Sequence, residues 1–203
     1  MTNRHLKLVA PTGKVPTVRT PLRRPNAELR SREHLTEREV ERLIEATSSH
    51  RDATMVLLAF RHGLRAAELV DLRWDQVDFE RGVLHVRRAK AGTPATHPLT
   101  GRELRAVRRL QRETGPSTHL FMSERKAPIS VDGFQKMVER LSARAKLGFQ
   151  VHAHMLRHAC GFKMANDGVD TRTIQAYLGH KDIRHTVRYT ELSPVRFKGL
   201  WKD

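Results

Sequence analysis

Residues 154–190 have the sequence HMLRHACGFKMANDGVDTRTIQAYLGHKDIRHTVRYT. His154 and Arg157 are three residues apart, so they share one face of the helix that this pattern predicts. A second helical pattern ends in Leu-Gly-His, whose histidine is His180, and Tyr189 follows nine residues later. These side chains supply proton-transfer groups, the paired hydrogen-bond donors of an arginine for phosphate oxygens, and a nucleophilic hydroxyl. A phosphodiester reaction needs such a set.

Composition limits the partners of the chain. At 203 residues the chain suits one domain with or without a tail, and its formal net charge of +16 favours a polyanion such as nucleic acid. Cys160 is the single cysteine, which excludes an internal disulfide and predicts a buried hydrophobe in a reducing compartment. The sequence contains neither a long apolar run that could span a membrane nor the apolar core of a signal peptide.

The stretch at residues 154–190 resembles the C-terminal signature of the tyrosine recombinases, the phage integrase family. That signature is His-x-x-Arg, then Leu-Gly-His, then a tyrosine about nine residues on. The run is most similar to that of the short fimbrial phase-variation recombinases. The resemblance implies a mainly α fold with a small antiparallel β-sheet, an α+β tyrosine-recombinase catalytic domain. It also implies an enzyme that needs no cofactor, metal or ATP.

The first 33 residues predict a basic, flexible N-terminal tail, because prolines punctuate them and no apolar period is sustained. Two functions remain open for this tail: an arm that contacts DNA phosphates, and a plain solubilising leader. The catalytic domain is expected to span residues 34–203. We expect no separate N-terminal core-binding domain of the kind that larger family members carry.

Local patterns predict how the domain begins. Thr36 and Glu39 form a capping box at the start of a helix, and a second helix over residues 51–61 is apolar nearly all round, which predicts a central position. The block GLRAAEL at residues 63–69 then places Arg65 at the start of a short helix, with Glu68 able to pair with it. An isolated arginine here would be a surface residue. The resemblance identifies Arg65 as the first catalytic arginine.

A β-hairpin is predicted from residues 83–87 and 95–99, with a turn at Lys90. A lysine at a hairpin tip is usually just solvated. The resemblance instead implies that Lys90 is the catalytic lysine of the mobile turn. It is the only lysine in this hairpin.

Two further helices carry basic faces. The helix that begins at Gly101 has an arginine-rich outer face, which is either a solvated surface or a phosphate-facing one. The helix that follows Ser130 corresponds to one that lies against DNA in the family. The candidate DNA-binding residues on these two helices are Arg105, Arg109, Lys136, Arg140 and Arg144.

Several residues have more than one interpretation. His154 and His158 have zinc-helix spacing, but the intervening glutamate of a metalloprotease is absent, so we predict no metal site. His158, like His152, is expected to be a supporting or capping group. Thr171 is expected to cap the helix before His180, and Tyr177 to be a half-buried amphipathic ring. The residues after Tyr189 are a candidate contact with a neighbouring protomer.

The resemblance implies a division of roles. Tyr189 is the nucleophile, Arg65 and Arg157 bind the phosphate, and Lys90 protonates the leaving oxygen. His154 is the general acid/base and His180 holds the phosphate. The expected activity is site-specific recombination of duplex DNA through a 3′-phosphotyrosyl link, by inversion or integration.

The expected partners are DNA with inverted-repeat sites, a homotetramer formed on that DNA, and accessory DNA-bending proteins. The expected location is the bacterial cytoplasm, on the nucleoid. Three alternatives remain: a catalytically silent sequence-specific DNA-binding regulator, a type IB topoisomerase, and a structural RNA-binding protein.

Overall fold

The computed structural model describes residues 33–88 and 93–191, together with Ser193 and Phe197. The predicted basic tail lies outside the described residues except for Glu33. Lys90 and the rest of its predicted turn lie outside them as well, as does most of the candidate assembly segment after Tyr189.

Helices dominate the described residues, and a small sheet accompanies them. The strands are β1 (Val77–Asp78), β2 (Val83–Val86) and β3 (Ala95–Pro98), with a short 3₁₀ helix (Trp74–Gln76) before β1. The helices are α1 (Glu37–Glu45), α2 (His50–Arg61), α3 (Ala66–Val70), α4 (Gly101–Thr114), α5 (Val131–Arg144), α6 (Ala153–Asn166), α7 (Thr171–Leu178) and α8 (Arg184–Glu191). The predicted α+β class is confirmed.

Short polar residues fix where the helices begin. The predicted capping box at α1 is present, since the Thr36 hydroxyl accepts from the Glu39 amide and the Glu39 carboxylate accepts from the Thr36 amide. The prediction for α7 was wrong by one residue. Asp170 caps this helix because its carboxylate reaches the amides of Arg172 and Thr173, and Thr171 is already helical.

The core is built around α2, as its apolar sequence predicted. This helix packs against α1, α4 and α6. Its buried apolar residues are Met55, Val56, Leu57, Leu58, Ala59 and Phe60. Gly63 follows α2 with a φ of 55°, a left-handed conformation that favours glycine, and turns the chain into α3. Cys160 of α6 is buried, as expected for a small hydrophobe.

The sheet is antiparallel in the order β1-β2-β3. In the β2–β3 ladder Val83 pairs with Pro98 and Val86 pairs with Ala95. The proline therefore lies on an edge strand, where its missing amide hydrogen costs no ladder bond. Among the described helices, none is both long enough and apolar enough to cross a membrane.

Candidate active site

Arg65 lies at the N-terminus of α3, where the sequence placed it. Its amide donates to Glu68 Oε2 over 3.0 Å, and its Nη1 donates to Glu68 Oε1 over 2.6 Å. The Arg65 side chain is 30% exposed, whereas that of Glu68 is 1% exposed. The buried carboxylate therefore fixes one edge of the guanidinium and leaves the other edge toward solvent. The predicted Arg65–Glu68 pair is confirmed.

Arg157 projects from α6 into the core and is only 1% exposed. Its Nη1 donates to the Gly63 carbonyl over 2.5 Å, and its Nη2 donates to the Leu178 carbonyl over 2.7 Å. Burial, followed by the positive charges of Arg65 and Arg88, lowers its pKa to about 10. The guanidinium therefore remains charged at neutral pH and joins the end of α2 to the end of α7.

Glu68 is the negative centre among three guanidinium groups. Arg65 binds one of its oxygens, and Arg88 Nη1 donates to the other over 2.9 Å. Arg157 Nη1 lies 3.9 Å from that second oxygen. Burial alone would raise the pKa of Glu68, but the Arg65 amide and the Arg88 charge bring it below its usual value. The carboxylate is therefore ionised and holds Arg65 and Arg157 on one side of the fold.

Tyr189 lies on α8 and is almost completely enclosed, with 1% of the residue exposed. Its hydroxyl lies 2.9 Å from His158 Nδ1, and the Phe162 ring meets its ring edge-on at 5.0 Å. A Cβ on Gly161 would lie 2.7 Å from the Tyr189 ring, so α6 approaches it closely. Burial raises the pKa of Tyr189 to about 12. The phenol is therefore protonated at neutral pH.

His180 enters the site directly after the left-handed C-cap Gly179. Its Nδ1 lies 2.8 Å from the Thr186 hydroxyl, and its ring centre lies 6.2 Å from that of Tyr189. Burial, followed by the charges of Arg157 and Arg65, lowers its pKa to about 3. The imidazole is thus neutral at pH 7, and the α7–α8 connection holds it beside the tyrosine.

His154 is the exposed residue of the first turn of α6, and its ring meets the His158 ring edge-on at 4.4 Å. Partial burial of the ring, followed by the charge of Arg157, lowers its pKa. A neutral imidazole is competent to accept a proton. A continuous row of side chains therefore runs from the surface of α6 to the enclosed phenol, in the order His154, His158 and Tyr189.

The structure brings together five of the six predicted catalytic residues. Arg65 and Arg157 share Glu68, Arg157 binds the Leu178 carbonyl two residues before His180, and His180 faces Tyr189. His154 reaches Tyr189 through His158. Lys90, the sixth, lies outside the described residues.

Sequence reasoning missed the specific partners of two residues. His158 was expected only to support or cap, and its place next to the Tyr189 hydroxyl was not foreseen. Arg88 was not singled out at all. The spacing of four residues did place His158 on the same face of α6 as His154. No sequence signal separated Arg88 from its neighbour Arg87.

The enclosed groups limit what this conformation can do. Arg157 and Tyr189 are each 1% exposed, so a DNA phosphate cannot touch either group in this arrangement. Tyr189 lies on α8, which packs against α6, so α8 has to move before the phenol can reach DNA. The structure therefore corresponds to an assembled but closed site.

The candidate DNA-binding residues are all exposed. Lys136, Arg140 and Arg144 follow one another at intervals of four along α5 and form a single stripe, although Lys136 also pairs with Asp132 at 2.8 Å. Arg105 and Arg109 lie on the outer face of α4, where Arg109 binds Glu113 at 2.7 Å. The α5 stripe, defined as Lys136, Arg140 and Arg144, is thus the more available cationic surface.

We expect acid to destabilise the fold because several histidines are held neutral in it. Burial, followed by a neighbouring histidine's charge, lowers the pKa of both His97 and His158 to about 3. A histidine in the unfolded chain titrates near 6.5, so below that pH the unfolded state binds more protons. The stabilisation that the neutral histidines give the fold is therefore fully present above about pH 6.5 and is lost as the pH falls toward 3.

Thermal unfolding followed by circular dichroism should therefore give a Tm that falls steadily between about pH 6.5 and pH 4. A His97→Gln variant, which cannot titrate there, should show a shallower fall. A Tm that stays constant over this range would contradict the account.

Comparisons with known proteins agree with this geometry. The sequence profile of the phage integrase family matches residues 33–196. The type 1 fimbriae regulatory protein FimE of Escherichia coli K12 is 40% identical over 181 residues, which cover 84% of this chain and 91% of that protein. The tyrosine recombinase XerA of Pyrococcus furiosus is 34% identical over 183 residues, which cover 87% of this chain and 63% of that protein.

A similar fold occurs in a solved structure. The crystal structure of XerA recombinase superposes with a TM-score of 0.73 at 27% identity, over 82% of this chain and 63% of that one. No group of three histidine, cysteine or carboxylate side chains among the described residues could hold a metal ion. The family profile covers most of the chain, and the predicted resemblance is confirmed: the chain belongs to the phage integrase family, the tyrosine recombinases.

Proposed function

We propose that this tyrosine recombinase breaks and rejoins duplex DNA at specific sites through a covalent link between Tyr189 and a 3′ phosphate. The single observation that carries the proposal is the shared network around Glu68. Glu68 pairs with Arg65 and lies 3.9 Å from Arg157, so both arginines are on one side of the fold. Arg157 also donates to the Leu178 carbonyl, two residues before His180, and the His180 ring lies beside that of Tyr189. A nucleophile and a set of phosphate donors are thereby joined by contacts among the chain's own residues.

The chemistry proceeds in two balanced steps. The Tyr189 oxygen attacks phosphorus and loses its proton, with His154 as the base. Arg65, Arg157 and His180 bind the non-bridging oxygens as negative charge develops on them. The bond to the 5′ oxygen breaks, and Lys90 protonates that oxygen. A second 5′ hydroxyl then attacks the phosphotyrosine and passes its proton to Lys90. The bond to Tyr189 breaks, and the leaving phenolate takes its proton back from His154, so that the new strand forms and the enzyme is restored. Because the phosphotyrosine retains the bond energy, no ATP is consumed.

His158 has a distinct role in the closed site. Its pKa is lowered to about 3, first by burial, so the ring is neutral and can bind the phenol without ionising it. We infer that this hydrogen bond keeps Tyr189 protonated and away from DNA until α8 moves. His154, which is exposed in the first turn of α6, is then the base that Tyr189 meets after release.

Inversion is the outcome we favour over integration. FimE and FimB of Escherichia coli K12 are both named type 1 fimbriae regulatory proteins, and the chain covers 91% and 92% of them. Inverting a DNA segment is a way in which a recombinase can regulate the expression of a gene. The proposal includes inverted-repeat sites, a tetramer on DNA, accessory DNA-bending proteins, and a location on the nucleoid in the bacterial cytoplasm.

The α5 stripe is expected to bind phosphates. Replacing Lys136, Arg140 and Arg144 with glutamine removes three cations, so the slope of log K against log salt should become shallower by about 2 to 3. Fluorescence anisotropy with duplex DNA at several salt concentrations measures this slope. A variant with Arg38, Arg81 and Arg87 changed to glutamine loses the same charge at exposed positions elsewhere. Equal slopes for the two variants would remove the stripe from the DNA interface.

A plasmid inversion assay tests the proposed function. The plasmid carries a segment bounded by the inverted repeats nearest the gene, and EDTA is present. We expect the purified chain to invert the segment. Binding without strand exchange would instead identify a silent regulator, and relaxation of any supercoiled plasmid would identify a topoisomerase.

A further inference from the structure

Arg88 is a third buried arginine next to the candidate active site. It follows β2 and lies two residues before Lys90. Its side chain is 0% exposed. Its Nη1 donates to Glu68 Oε2 over 2.9 Å, and its Nη2 donates to the Tyr177 carbonyl. Both terminal nitrogens of the guanidinium therefore bind groups inside the fold.

Arg88 also lies directly beneath the turn that delivers His180. A Cβ on Gly179 would approach its Nε, Cγ and Cδ to between 2.8 and 3.0 Å. Gly179 has a φ of 65°, so glycine is favoured there by conformation as well as by space. The Arg88 side chain therefore packs directly against the Gly179–His180 turn and supports it.

The charges of Glu68 and its arginine partners explain why a cation is needed at position 88. Burying a guanidinium is costly unless it is paired, and Glu68 is already paired with Arg65. Arg88 occupies Oε2, and Arg157 Nη1 remains 3.9 Å from that oxygen. Without Arg88, Glu68 Oε2 would keep the Arg65 amide but lose its bound guanidinium, and Arg157 is the cation next to it. A shift of Arg157 toward that oxygen would withdraw a phosphate donor from the site.

We propose that Arg88 is a positioning residue, which occupies Glu68 Oε2 and supports the Gly179–His180 turn so that Arg65 and His180 face one phosphate. This inference rests on the proposed function. It assigns Arg88 no contact with DNA and no part in proton transfer. Its effect is on the rate of the chemical step, not on the affinity for DNA.

The test uses single-turnover formation of the covalent adduct on a nicked suicide duplex. An Arg88→Met variant, which keeps most of the volume and removes the charge, should form the adduct about 30-fold or more slowly. Its Kd for the same duplex should stay within about threefold of wild type. Arg88→Lys should recover only part of the rate, because an ammonium lacks the guanidinium fork. The matched control is Arg87→Met, whose exposed side chain pairs with Asp75 at 2.9 Å and whose rate should be unchanged.

A second substrate separates positioning from loss of folding. A methylphosphonate at the cleaved position removes the negative charge that Arg65 binds, so the deficit of Arg88→Met should shrink on it. A purely structural defect would reduce the active fraction equally on both substrates. If Arg88→Met does not fold, Arg88→Gln takes its place, because the amide can still donate to Glu68 Oε2 without a positive charge. It should fold and still react slowly.

The outcomes distinguish the two proposals. An Arg88→Met variant that reacts as fast as wild type overturns the positioning role, as does an equal deficit on both substrates. If the wild-type chain and the Arg87→Met control both fail to form any adduct, the proposed function itself is wrong.

Discussion

A Tyr189→Phe variant is expected to form no SDS-stable adduct with DNA while remaining folded. The substitution removes one oxygen, which is the proposed nucleophile, and leaves the ring packed against Phe162 and Gly161. The lost contact to His158 should lower the free energy of unfolding by about 1 kcal/mol. Electrophoresis in SDS after incubation with a nicked duplex detects the adduct, and circular dichroism gives the Tm.

The other tyrosine of the chain provides the matched control. Tyr177 donates its hydroxyl proton to the Arg61 carbonyl over 3.0 Å, so Tyr177→Phe also loses one hydrogen bond. Its adduct should form normally. An adduct that persists in Tyr189→Phe and disappears in Tyr177→Phe would reverse the assignment of the nucleophile.

An Arg157→Met variant is expected to lose both stability and activity. The change leaves the carbonyls of Gly63 and Leu178 without their donor inside the core. Each unsatisfied carbonyl costs about 1 to 3 kcal/mol, so the free energy of unfolding should fall by about 3 kcal/mol. Loss of a phosphate donor should slow adduct formation about 100- to 1000-fold. Chemical denaturation and single-turnover kinetics measure the two effects.

Rates should be compared under conditions in which circular dichroism shows the variant to be folded. Arg81→Met is the control, since the Arg81 side chain is 81% exposed and its partner Asp78 is 3.8 Å away. It should match wild type in both measurements. If folded Arg157→Met cleaved DNA at the wild-type rate, Arg157 would be a structural residue only.

Local features of the fold could be predicted because their causes are local in sequence. The capping box at Thr36 and the apolar surface of α2 each depend on residues within about one turn of a helix. The pairing of Arg65 with Glu68 is of the same kind, because three residues separate them. The misplaced cap of α7 was a choice between adjacent residues that can both cap a helix.

The rest of the site depends on contacts between distant segments. Arg88 binds Glu68 twenty residues earlier in the chain and Tyr177 eighty-nine residues later, so nothing in the local sequence distinguishes it from the exposed Arg87. His158 meets Tyr189 across thirty-one residues. The enclosure of Tyr189 follows from how α8 packs on α6, and an amphipathic pattern alone does not predict whether a tyrosine is exposed.

Mass spectrometry of the trapped adduct is the most direct test of whether Tyr189 becomes bonded to DNA. Digestion of the wild-type adduct with nuclease and protease should leave a nucleotide attached by its 3′ phosphate to the peptide that contains Tyr189. A nucleotide found on any other residue, or a 5′ phosphate in the linkage, would contradict the account.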